Sequence, residues 1–201
     1  MEDTKLIPKI LIYEEFDGIP LYRKGYKDFV LGLKKMEEIN MGTSALQSFI
    51  IAAILKHLFK ILPDTYSALS SELGLHLSKN ANFSADIAIY KEGRLNIGFH
   101  SVNYVDTPPN VVIEVDIKIE EYDYFKSEEE YFHRKTEQLL QWGVERVVWV
   151  FSSSRRILVA DNLQKWEFIR WDLPFIVIDD YEINLWELML KNGFQTESKT
   201  Q

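Results

Sequence analysis

Val111-Val112-Ile113-Glu114-Val115-Asp116-Ile117-Lys118 begins as an apolar run and then alternates charged with apolar side chains. In an extended strand alternate residues share a face, so Ile113, Val115, Ile117 and Ile119 point one way. Glu114, Asp116 and Lys118 then form a charged row on the other. Pro108-Pro109 immediately upstream fixes an extended lead-in without breaking the strand. Ala85-Asp86-Ile87-Ala88-Ile89-Tyr90, closed by the turn signal Lys91-Glu92-Gly93, reads as a shorter neighbouring strand carrying a further acid, Asp86. Such a row can be the solvated face of an edge strand. The adjoining apolar run and the acid on the neighbouring strand point instead to the sheet centre.

Working outward, Ser127 followed by Glu128, Glu129 and Glu130 starts a helix, with acids against its dipole and Glu130 at capping-box spacing. It runs to Trp142 and ends at Gly143. Val147-Val148-Trp149-Val150-Phe151 suits a central strand, and Ser152-Ser153-Ser154 turns it into Arg156-Ile157-Leu158-Val159-Ala160. Strand, helix, strand predicts a crossover unit with parallel strands. Towards the N-terminus, Leu46, Phe49, Ile50, Ala53, Ile54, Leu58 and Ile61 recur at helical spacing, so residues 43–62 form the longest helix, packed on the sheet. Asp17-Gly18 is a tight turn between short extended pieces, and residues 21–27 read as surface. Trp166 to Trp171 adds a strand, and Leu185 to Leu190 a short helix. The fold class is α/β, with a central mixed β-sheet flanked by helices.

The chain has 201 residues, 46% apolar and 27% charged, which suits one globular domain over residues 1–195, with a polar, frayed tail at 196–201. No run approaches the roughly 18 apolar residues of a membrane span, and MEDTKLIPK lacks a signal peptide's apolar stretch, so the expected compartment is the cytoplasm. The absence of cysteine excludes disulfides, thiol nucleophiles and Cys-type zinc sites. His57, His76, His100 and His133 fit no paired-histidine zinc spacing. A net charge of −8 has the wrong sign for a general nucleic-acid coat protein. It leaves a nuclease open, because bound divalent cations offset carboxylates locally.

An Asp on one strand and an acid two positions before a Lys on the next can hold Mg²⁺ through oxygen ligands, with the ammonium beside it. The ammonium then orients water or stabilises charge developing on a phosphate. Asp86 followed by Asp116-Ile117-Lys118 resembles the PD-(D/E)XK nuclease signature. Tyr13 to Gly18 with Glu14, Thr43-Ser44-Ala45-Leu46-Gln47, Ala85 to Ile89, Pro108 to Val115, and Lys135 to Trp149 are, in that order, similar to the Uma-type family of putative restriction endonucleases. The resemblance spans about residues 10 to 190. It implies a restriction-endonuclease-like fold and a Mg²⁺-dependent DNA nuclease, with Mn²⁺ as a substitute. Position by position, it puts the metal-binding acids at Asp86 and Glu114, the lysine at Lys135 on the following helix, and an accessory acid at Glu14. Two sets therefore stand: Asp86, Asp116 and Lys118, or Asp86, Glu114 and Lys135. Ala85 replaces the family's usual Pro, and residues 43–47 lack the His that many members carry there.

The local basic cluster of Arg23, Lys24, Lys27, Lys34 and Lys35 offers candidate phosphate contacts, Arg23, Lys24 and Lys27 first, although a solvated surface is the simpler explanation. Arg155-Arg156 has the same two readings. The expected assembly is a homodimer, since duplex cleavage needs two cuts. The competing function is a nuclease-fold binding or assembly module without turnover.

Overall fold

A computed structural model describes residues 7–39, 42–95, 97–98, 101–119 and 124–195. His100 and the tail at 196–201 lie outside the described residues. Among the described residues, ten strands and four α-helices follow in the order β1 (Ile12–Phe16), β2 (Ile19–Tyr22), α1 (Tyr26–Val30), α2 (Ala45–Ile61), β3 (Tyr66–Ser78), β4 (Ala81–Lys91) and β5 (Val111–Val115). Then come α3 (Glu128–Trp142), β6 (Arg146–Phe151), β7 (Arg156–Ala160), β8 (Trp166–Arg170), β9 (Phe175–Ile178), β10 (Tyr181–Ile183) and α4 (Leu185–Lys191). The architecture is mixed α/β, as expected. No described helix is long and apolar enough to cross a membrane.

The main sheet runs β2-β1-β4-β5-β6-β7-β8, with β3 also on β4, and β9 and β10 form a separate pair. β5 and β6 pair in parallel from Val111↔Arg146 to Val115↔Val150, and α3 makes the crossover between them. Ser127 caps α3 by accepting the Glu130 N–H. Glu130 accepts from the Lys126 N–H at 2.8 Å, so the reciprocal half of the capping box goes one residue upstream. Ser44 caps α2 through the Gln47 N–H.

Two cores sandwich the sheet. Ile50, Ala53, Ile54 and Leu58 of α2 join Ile87, Ile113, Val115 and Val148 on one side, together with α4 and β9. Tyr131, Phe132 and Leu139 of α3 join Val112, Val147, Trp149 and Leu158 on the other. The opposite parities of Ile113 and Val112, and of Val148 and Val147, are what a central strand buried on both faces requires.

Three readings need correction. The strand expected over Val111 to Lys118 stops at Val115, because Asp116 takes a left-handed backbone with φ 57°. The chain turns over there, so Ile113 and Val115 join the α2 core while Ile117 and Ile119 join the α3 core. Residues 21–27 are not all surface: Leu21 and Tyr26 are buried, and Arg23 bridges to Ile119. β4 is longer than Ala85 to Tyr90, and the short pair β9 and β10 gave too little periodicity to be read.

Candidate active site

The site sits where the sheet forks. β3 pairs with β4 from Tyr66↔Lys91 to Ser78↔Ala81, interrupted by a bulge opposite Asp86, so one edge of β4 is taken. The other edge is shared: β1 takes Asn82, and β5 takes Ile87 to Ile89. Between Asn82 and Ile87 that edge has no strand partner, and a buried backbone left so would be costly. Side chains fill the gap. The Ser84 N–H donates to Glu14 Oε1 at 3.0 Å, and the Ser84 carbonyl accepts from Lys135 Nζ at 2.9 Å. Across the fork, Asp86 Oδ2 accepts the Val115 N–H at 2.8 Å, beyond the point where the β4–β5 ladder ends.

Glu14, Asp86, Glu114 and Lys135 are all buried. Glu14 accepts from Ser84, from the Tyr131 hydroxyl at 2.7 Å and from Lys135 Nζ at 2.6 Å. Lys135 Nζ also lies 2.9 Å from Glu114 Oε1. Beyond that ion pair, Glu114 Oε1 has no hydrogen-bond partner among the described residues. Burial, aided by the nearby Asp86 and Glu14 charges, pushes the Glu114 carboxyl up to about 8 against the pull of Lys135. Burial alone would lower Lys135, but the Glu114 and Glu14 carboxylates outweigh it and raise it. The Tyr13 and Tyr131 hydroxyls are pushed up by burial first and by these carboxylates second.

Lys118 reaches the same fork from the other end. Its Nζ bonds Asp86 Oδ1 and lies 3.5 Å from Glu72 Oε1. Glu72 follows Ser71 in a bulge of β3 opposite Asp86, both with positive φ, and its other oxygen pairs with Arg23 at 3.0 Å. Lys118 lines a groove of about 180 Å³ with Arg23, Lys24 and Gln47. Asp86 and Glu72 line an adjoining groove of about 430 Å³ beside the start of α2.

Both lysines are thus at the site. Asp116 is not brought to Asp86 and Glu114: its oxygens bond the Ser152 N–H at 2.7 Å and the Ser152 hydroxyl at 2.6 Å, closing the end of β6. The strand-parity argument fails at that residue because the backbone leaves the extended region. Of the basic cluster, Arg23 and Lys24 stand beside Lys118, with Lys24 also paired to Glu128 at 3.2 Å, whereas Lys27 lies on α1 outside that groove. His133 stacks near Trp166 with ring centroids 4.5 Å apart and is part-exposed, so it reads as surface.

Sequence reasoning passed over Gln47, Glu72 and Tyr131. Gln47 is buried and donates through Nε2 to the Val115 carbonyl, tying α2 to the strand end. An amide within the buried stripe of Ile50, Ala53, Ile54 and Leu58 was the available signal. Glu72 left none, because a two-residue bulge has no local sequence signature.

The donor set is two hard carboxylates at a fork, the type that holds Mg²⁺ through one or two acids while it keeps waters. Glu114 Oε1, which has only the Lys135 ammonium beside it, has room to accept such an ion as a further partner. No group of three Asp, Glu, His or Cys side chains with metal-binding geometry occurs among the described residues, so a closed protein cage is not what this site offers.

The family model described as Uma2, putative restriction endonuclease, matches residues 36–168. Among solved structures, a crystal structure of a putative nuclease belonging to DUF820 from Anabaena variabilis matches with a TM-score of 0.63 at 15% identity. The match covers 94% of this chain and 95% of that one, and at such identity the likeness is one of fold. No curated protein matches the chain.

Proposed function

We propose that this chain, which belongs to the Uma2 family of putative restriction endonucleases, is a metal-dependent nuclease that hydrolyses DNA phosphodiester bonds with water as the nucleophile. The observation that carries this reading is the fork itself: Asp86 and Glu114 face a gap in the sheet, with an ammonium on each side. Asp86 and Glu114 would hold Mg²⁺, or Mn²⁺ in its place. When bound, the ion supplies Lewis acidity and a water of lowered pKa.

The two lysines divide the remaining work. Lys118, partly reachable from its groove, orients the attacking water and stabilises charge on the reacting phosphate. Lys135, with only 1% of its side chain exposed, fixes Glu114 and Glu14. Arg23 and Lys24 supply phosphate contacts beside Lys118.

Incubation with plasmid and single-stranded DNA in Mn²⁺ tests the reading, with Asp86→Ala as control. Nicking that requires the metal and disappears in the variant is the expected result. DNA left intact by the wild type under every divalent cation sinks it. The second reading, a binding or assembly module, is favoured by one observation: both acids already have ammonium partners without any metal. DNA binding without cleavage in the same assay would support that reading.

A further inference from the structure

A second cavity, of about 420 Å³, opens at the β6–β7 hairpin and the end of β8, walled by Trp171 and Trp186 and rimmed by Arg155, Arg156 and Arg170. Its frame is fixed by the backbone. The Trp171 N–H donates to the Arg155 carbonyl at 3.2 Å, the Trp186 N–H to the Trp171 carbonyl at 2.9 Å, and the Trp171 indole to the Arg156 carbonyl at 3.3 Å. Arg155 sits at the hairpin with a positive φ of 51°, its guanidinium 5.4 Å over the Trp186 ring. Arg170 is committed to Asp172 at 2.9 and 2.7 Å. Arg155 and Arg156 make no ion pair and no side-chain hydrogen bond among the described residues, and both are exposed. Two arginines without an acidic partner, one over the Trp186 ring and one lining the same cavity, stand out in a chain of net charge −8.

Their position matters as much as their charge. β5 and β6 are parallel, with Glu114 opposite Trp149, so the hairpin following Phe151 lies at the same end of the sheet as the fork. Asp116 joins the two by bonding Ser152 at the hairpin's start. Arg156 pairs with Phe151, two residues beyond Trp149, which places its backbone two strand spacings to the side of Glu114 and two residues further along, roughly 12 Å in all. That span is about three to four nucleotides at 3.4 Å each along a duplex axis.

We propose that Arg155 and Arg156, on the Trp171–Trp186 wall, form a second phosphate-binding site that holds the DNA backbone a few nucleotides from the bond to be cut. This inference rests on the nuclease reading, and it gives the acidic protein a local positive track for its substrate. Guanidiniums suit it because their planar donor fork grips phosphate oxygens in pairs.

Fluorescence anisotropy of the full chain with a labelled 20-base-pair duplex, in EDTA to prevent cleavage, tests it across a salt series. The double variant Arg155→Ala/Arg156→Ala should bind at least about tenfold more weakly in low salt. Its slope of log affinity against log salt should fall by about 2, the counterions of two phosphates. Arg170→Ala should change the slope by less than one, since Asp172 already engages it. The two side chains are exposed, so the thermal midpoint of the double variant should match the wild type. Wild-type affinity and slope in the double variant, with the wild type still binding and cutting DNA, overturn this site alone. A wild type that neither binds nor cuts DNA overturns both readings.

Discussion

Lys118 and Lys135 carry the same charge but have different surroundings, and that difference predicts different phenotypes. Lys118 meets Asp86 at the edge of a groove with 12% of its side chain exposed. Lys118→Ala should lower the cleavage rate by roughly 10² to 10³-fold, the scale for one preorganised charge, with a smaller drop in the melting temperature than Lys135→Ala gives, because Lys118 is part-exposed and frees one carboxylate rather than two. Lys135→Ala would leave Glu14 and Glu114 buried without their cation. Breaking such a pair costs about 3–5 kcal/mol, so the melting temperature should fall by roughly 10 °C for a chain of this size. A Lys135→Ala protein that melts like the wild type would refute the structural role. Glu114 adds a pH dependence. Its folded pKa, about 8, lies above the ordinary value of 4.5, so the folded state keeps a proton that the unfolded chain has lost. Its contribution to stability is therefore present below pH 4.5 and is lost as pH rises to about 8. Without metal, the melting temperature of Glu114→Gln minus that of the wild type should grow across that window. A difference that stays constant with pH would rule this out.

At the scale of elements, the site depends on how α3 and β4 are held. α3 ends at Gly143, whose φ of 116° is open to glycine and strained for other residues. The Val144 N–H closes back on Leu139 at 3.0 Å, and a Cβ added at 143 would lie 3.2 Å from Pro108 Cγ. Gly143→Ala should cost about 1–2 kcal/mol, read as a drop of roughly 2–8 °C in the thermal midpoint. An unchanged midpoint would show that the turn relaxes without cost. Pro108 leads into β5, and Arg94 couples the end of the helix carrying Lys135 to the strand carrying Glu114 by donating to the Gly143 carbonyl at 2.7 Å and to the Pro108 carbonyl at 2.8 Å.

For the whole molecule, the high apolar and aromatic content and the two-cut requirement of a duplex set the expectation of a two-fold dimer. Leu31, Leu33 and Phe59 are large apolar side chains left exposed in the single chain. Light scattering at micromolar concentration should give twice the chain mass, and a monomer would contradict the dimer. A bound cation should also register globally. Mg²⁺ or Mn²⁺ held only by the folded state must raise the melting temperature in the wild type and not in Asp86→Ala.

The sequence by itself determined the α/β class, the helices α2 and α3 with the cap of α3, and the parallel β5–α3–β6 unit, and its family resemblance put Asp86 and Glu114 forward for one site. Period and capping are local properties, and local spacing is enough to read them. It also left two lysine sets open, because the strand pattern supplied Lys118 and the family resemblance supplied Lys135. Only the tertiary structure put both lysines at the fork, took Asp116 away to Ser152 and brought Gln47 and Glu72 in. Those outcomes turn on a left-handed residue at the end of β5, a bulge in β3 and one strand edge shared by two partners. Each is a long-range choice about which backbone groups pair, and no window of sequence contains both members of such a pair.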